Sequence, residues 1–169
     1  MNVKKILIWL PAIVMAMVIF GFSKQDGEES SGLSYKAADI ILTVCDKAGI
    51  VDYNENNRES MIEAVQFPIR KAAHMTEYAV LAILVMIALI VDGIKGIKLP
   101  IISAVIATAF AATDEFHQVF VPGRYGCVRD VLIDAAGSVI GLAITYVIYI
   151  NVCKKRTYNL NYNYASIRN

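Results

Sequence analysis

Charge is scarce in this chain. Asp, Glu, Lys and Arg make up only 18% of its 169 residues, against about 25% in soluble domains. The net charge of +1 provides no basic field of the kind nucleic acid requires. Cysteine is also rare: Cys45, Cys127 and Cys153 are too few for a disulfide framework and have no metal-like spacing. There is no internal repeat, no H-E-x-x-H pair, and no A-x-A-like cleavage site after the first apolar run. Apolar residues, by contrast, reach 57%. These features argue against a soluble enzyme, a disordered chain and a DNA-binding module, and they point to a small membrane protein.

The apolar residues fall into four runs, at about 6–22, 72–91, 99–120 and 131–150. A helix needs about 20 residues to cross the hydrocarbon core. Any one run could be a buried core helix, but four near bilayer length in so short a chain could not all be. The expected fold class is all-α: a bundle of four transmembrane helices over residues 1–153, with an amphipathic outer loop at 23–69 and a polar, mobile tail at 154–169. Lys4 and Lys5 precede the first run, which reads as an uncleaved signal anchor. Basic residues set orientation. Lys4-Lys5, the Lys95 and Lys98 of the tight loop between spans two and three, and Lys154-Lys155-Arg156 agree with one another. They place both termini in the cytoplasm of a multi-pass cell-membrane protein.

The outer loop carries Leu33, Ala37, Ile40, Ile41, Val44 and Ala48 near helical spacing, which predicts a helix over Ser31–Gly49 with Gly49 as its C-cap. Val51–Asn57 reads as a polar turn and Glu59–Gln66 as a second helical piece, with Pro68 marking the entry to span two. The result is an amphipathic hairpin lying on the membrane or capping the bundle. Gly137 and Gly141 form a G-x-x-x-G on span four, suited to close packing within the bundle. Cys45 and Cys127 fall on one side of the membrane and could pair.

The ionisable groups of the spans collect at one end. Arg70, His74 and Glu77 are spaced i, i+4, i+7 and share a face of span two. Asp114, His117 and Gln118 share a face at the end of span three, beside Glu115, and Asp130, Asp134 and Gly137 share one on span four. Pro122 ends span three and Gly123 permits a positive φ, which aims Arg124 back over the helix ends. An ionisable residue costs about 2.5–3.5 kcal/mol at the bilayer centre on insertion scales, so a one-sided cluster asks for a reason. The bland reading is a set of ties, such as Arg70 with Glu77 or Arg124 with Asp130. Three functional readings stand beside it. Two histidines with several carboxylates would suit a divalent metal, zinc or manganese. His117, held by Asp114 or Glu115 and accompanied by His74 and Glu77, would serve as a general acid or base, although no nucleophile stands beside them. Arg70, Arg124 and Arg129, with Gln118, Asp130 and Asp134, would hold an anionic lipid headgroup such as a pyrophosphate. The last is preferred, because its height matches a lipid head.

The segment Asp114-Glu115-Phe116-His117-Gln118-Val119-Phe120-Val121-Pro122-Gly123-Arg124, followed by Asp130-Val131-Leu132-Ile133-Asp134, resembles the signature of VanZ-like membrane proteins. Arg70-Lys71-Ala72-Ala73-His74-Met75-Thr76-Glu77-Tyr78 resembles the family's other motif, and Phe22-Ser23-Lys24-Gln25 its looser Phe-Ser-x-Gln element. The resemblance runs from span one to span four. It implies a bacterial integral membrane protein. Founding members are associated with low-level resistance to teicoplanin, a glycopeptide that binds cell-wall precursors. The implied partners are membrane lipids and a lipid-linked cell-wall precursor, which the protein would bind or act on. The alternative is a membrane-embedded hydrolase or transferase, metal-dependent or not, of a phosphate-containing lipid.

Overall fold

An apolar segment in lipid must satisfy its backbone polar groups internally, and a helix does so within one segment. In the computed structural model, which describes residues 3–167 and side chains over 5–155, the described residues form five helices and no strand. They are α1 (Val3–Ser23), α2 (Gly27–Lys47), α3 (Arg58–Val91), α4 (Lys98–Gln118) and α5 (Val128–Ile167). All but α2 are long and apolar enough to cross a membrane, and the four expected spans fall on them. The protein is therefore an all-helical, multi-pass membrane protein. Of the polar tail expected over 154–169, α5 carries the backbone to Ile167, and side chains from Arg156 onward lie outside the described ones, as does that of Lys4.

Helix α3 corrects one expectation. Glu59–Gln66 is not a separate piece, and Pro68 lies inside a continuous 34-residue helix. Proline removes one hydrogen bond, which is tolerable where water can replace it. At 1.5 Å per residue α3 is about 51 Å long, against a hydrocarbon core of about 30 Å. Counted back from Val91, the core ends near Ala72, so the helix stands proud of it by about four turns. Pro68 is in that projecting part.

Helix α2 packs on the projecting part of α3. It begins at Gly27, earlier than the expected Ser31, because Asp26 caps it: its carboxylate accepts the N–H groups of Glu28 (3.0 Å) and Glu29 (2.8 Å). The helix ends where expected, with Gly49 at φ 71° donating to the Asp46 carbonyl. Ala38, Leu42 and Ile62 are buried between the two helices. Arg58 grips Asp39 through Nε (3.0 Å) and Nη2 (2.9 Å), and the Tyr53 hydroxyl donates to the same carboxylate. Hydrogen bonds from Arg58, then Tyr53, hold the Asp39 carboxyl below the usual range. The hairpin is therefore pinned at its tip. At its base Gln66 Nε2 donates to the Ser31 carbonyl (2.8 Å) and Ser34 Oγ (3.0 Å). Cys45 and Cys127, which could have paired, are free thiols.

In the bundle, α3 touches all four other helices. Tyr78, Leu81, Ala82, Val85 and Met86 of α3 form the core with Ile19, Leu99, Ala107, Ala111 and Leu142. Large apolar side chains such as Leu7, Val105, Val139 and Val147 point outward, as they must toward lipid. The closest crossing is between α3 and α5. A Cβ on Gly137 would lie 2.3 Å from the Met75 carbonyl oxygen, and one on Gly141 3.0 Å from Ala79 Cβ. The G-x-x-x-G thus packs inside the bundle. At the opposite end, Trp9 Nε1 donates to Asp92 (2.9 Å) and Lys5 lies 3.5 Å from it, which ties α1 to α3.

The crossing yields a prediction. Gly137→Leu should destabilise the purified protein by about 1–3 kcal/mol through overpacking against backbone, lowering its thermal midpoint by several degrees. Gly32→Ala, where a Cβ meets nothing within 4 Å, should not lower it. Equal midpoints for both variants would refute the close approach.

Candidate functional site

The polar end of the bundle encloses a cavity of about 350 Å³. Helix α3 supplies Arg70, Lys71 and His74 at the level where it leaves the hydrocarbon. Helix α4 supplies Glu115 and Gln118, and α5 supplies Asp130 and Asp134. Arg124 enters from the connection between α4 and α5, and Arg129 from the first turn of α5. Gly27, Ser30 and Ser31, at the start of α2, also line it. That start is locked to the α4–α5 turn. Gly27 N donates to the Pro122 carbonyl at 3.1 Å, and a Cβ on Gly27 would lie 2.3 Å from the Gly123 oxygen. Gly123 itself has φ 69°, as its place in the turn requires.

The carboxylates have assigned partners or deep burial. Asp130 meets Lys71 Nζ at 2.6 Å with both side chains mostly buried. Glu115 Oε2 accepts the Cys127 N–H at 3.0 Å, just ahead of α5. Asp134 is 2% exposed and lines the cavity wall. Asp114 is buried behind the cavity, where Gln118 Nε2 donates to it at 3.3 Å. The buried hydroxyls of Ser23 and Tyr78 gather round Asp114.

The guanidiniums are different. Arg124 Nη2 donates to the neutral Gln118 Oε1 at 2.8 Å, completing a relay from Asp114 through Gln118. Burial, despite nearby carboxylates, pulls Arg124 below its ordinary range. Arg70 has a buried Nε without a hydrogen-bond partner. Among the described residues neither arginine is in an ion pair. The expected ties of Arg70 to Glu77 and of Arg124 to Asp130 are absent, since Lys71 takes Asp130 instead. Lys71 and Arg129 both lie over the Phe67 ring, at 5.4 and 5.9 Å.

Of the residues singled out in the sequence, the cavity gathers Arg70, His74, Glu115, Gln118, Arg124, Arg129, Asp130 and Asp134. Glu77 lines a second cavity that also touches Arg70, His74 and Arg124. His117 lines neither of the two. Its ring packs on Phe20 of α1 with centroids 4.5 Å apart, and its Nδ1 is buried without a partner. The reason is angular. At about 100° per residue, His117 and Gln118 lie on either side of Asp114, so only one can face the cavity. Neither Asp114 nor Glu115 orients His117, since each is engaged elsewhere. Among the described residues, no three His, Cys, Asp or Glu side chains converge as metal ligands would. Lys71 was missed as a site residue. Its signal was its place three residues before His74 on the polar face.

This is a polytopic helical membrane protein with a cavity lined by both basic and acidic side chains at one end of its spans. The chain belongs to the VanZ/LLP1 family, whose model matches residues 8–149. No curated protein and no solved structure matches it.

The Lys71–Asp130 pair is testable. Breaking a largely buried pair from one side leaves an uncompensated charge. Lys71→Met or Asp130→Leu alone should therefore cost about 3 kcal/mol, and the double substitution should recover much of it. Additive losses in thermal melts of the two singles and the double would mean the pair is not coupled.

Proposed function

We propose that the cavity binds the phosphate-bearing headgroup of a lipid-linked cell-envelope intermediate. The observation that carries this reading is the pair of half-buried guanidiniums, Arg70 and Arg124, facing one cavity without a carboxylate bonded to either. A guanidinium fork suits phosphate oxygens two at a time. Of the acids nearby, Asp130 is matched to Lys71 and Glu115 accepts a backbone N–H, while Asp134 shares the cavity wall without bonding to either arginine. The cavity's level, where α3 leaves the hydrocarbon, is the level of a lipid head. Lys95, Lys98, Lys154 and Lys155 belong to the opposite end of the spans. The positive-inside rule therefore puts both termini in the cytoplasm and opens the cavity to the outer leaflet of the cell membrane. Lipid-linked wall precursors are exposed there, and a protein that holds one would shield it from a glycopeptide.

Binding of a polyprenyl pyrophosphate to the protein in nanodiscs tests the reading. A charge-assisted hydrogen bond contributes about 1.5–3 kcal/mol, so Arg70→Gln and Arg124→Gln should each weaken binding by about 10- to 100-fold. Unchanged affinity in the double variant would overturn it. Turnover of the lipid phosphate, lost in His74→Ala, would replace binding with catalysis, since His74 is the histidine that lines the cavity.

The cellular test is glycopeptide susceptibility in a Gram-positive host at matched membrane levels. The wild type should raise the teicoplanin threshold more than that for vancomycin. Arg124→Gln should abolish the rise, and His117→Ala, whose ring faces away from the cavity, should keep it. No rise with the wild type would remove resistance from the reading.

A further inference from the structure

The second cavity, of about 200 Å³, lies between the end of α1, helix α2 and α3. Most of its exposed wall is apolar, from Phe22, Leu33, Ala37, Ile69 and Ala73, with Gln25, Ser30 and Glu77 at its polar margin beside Arg70, His74 and Arg124. The polarity of Ser34, which also lines it, is consumed by the Ser30 and Ser31 carbonyls and by Gln66. Phe22 and Leu33 are exposed on the bundle's surface, so the slot has a side toward the bilayer. Helix α2 is not a span, yet it presents Leu33, Ile40, Ile41 and Val44 outward.

The slot and the first cavity are joined. Arg70, His74 and Arg124 line both. A phosphate held between the two guanidiniums would place its ester carbon at the slot's entrance. The slot's size restricts the chain behind that carbon. An apolar cavity of about 150 Å³ holds one benzene, so this one takes roughly six to eight carbons of a single chain. A diacyl glycerophospholipid would instead bring a glycerol and two ester-linked chains to the same entrance, and the slot has room for one.

We infer that the slot between α2 and α3 receives the first carbons of a single hydrocarbon chain whose terminal phosphate or pyrophosphate sits between Arg70 and Arg124. The ligand class is thus a lipid phosphate ester built directly on one chain, and it enters sideways from the bilayer. This inference rests on the headgroup reading and narrows it.

The test uses a long-chain alkyl phosphate carrying a diazirine near its phosphate end, in phosphatidylcholine nanodiscs with the full-length protein. Irradiation should label Leu33, Ala37 or Ala73. Ala37→Phe and Ala73→Phe fill the slot, and each should cut that labelling about tenfold. A thermal melt confirms that each variant is folded, and Ala73, which is exposed, gives the safer substitution. A diacyl phosphatidic acid with the same diazirine should label these residues at least about tenfold less. Excess inorganic phosphate should lower labelling by competing for the arginines alone. Labelling confined to lipid-facing residues such as Val105 and Val139 overturns the slot. So does labelling unaffected by both fillers, and equal labelling by the diacyl probe overturns the single-chain limit. Labelling at the slot that ignores Arg70→Gln and Arg124→Gln overturns the headgroup reading instead, so the two failures are distinct.

Discussion

The approach of α3 to α5 is the constraint on which the polar end depends. Two glycines let the helix backbones meet at Met75 and Ala79, where any side chain would hold them apart. Without a hydrophobic driving force between helices in lipid, such close packing is a main source of association. It also sets distances one turn further on. Lys71 reaches Asp130 only because the two backbones have already converged below them. Asp134 and His74 come to line one cavity for the same reason.

On that frame the charges are distributed unevenly. The acids serve the architecture: Asp130 joins two helices, Glu115 restrains the approach to α5, and Asp114 orients Gln118. The arginines are left with neutral partners or none. In a low-dielectric setting a cation without a counter-ion is costly, and burial already acts against the charge of Arg124. An anion bound between them, as proposed, would relieve that cost. The acidic neighbours limit the attraction and favour a ligand that can be gripped by geometry as well as by charge.

Much of this was legible in the sequence, and the exceptions have physical causes. The four spans followed from length and composition alone, because a bilayer imposes both. The polar faces followed from helical spacing. The continuity of α3 did not, because Pro68 reads as a boundary wherever water is ignored. The start of α2 was marked by Asp26 with Glu28 and Glu29, a capping pattern outweighed by the apolar periodicity that begins later. His117 and Gln118 are both within one turn of Asp114, and only the position of α1 decides between them. The partner of Asp130 could not be read from spacing, since it depends on the α3–α5 register. Lys71, not Arg124, stands opposite it.

The contact of Gly27 with Pro122 and Gly123 has a mechanical meaning. It is one hydrogen bond and one backbone-to-backbone touch, placed immediately before Arg124. The hairpin of α2 is braced against α3 at its tip by Arg58 and Asp39 and at its base by Gln66. Any load that tilts the hairpin, whether from the membrane surface or from a ligand entering beneath it, passes through that contact to the turn. Arg124 is therefore coupled mechanically to the hairpin through the turn that precedes it.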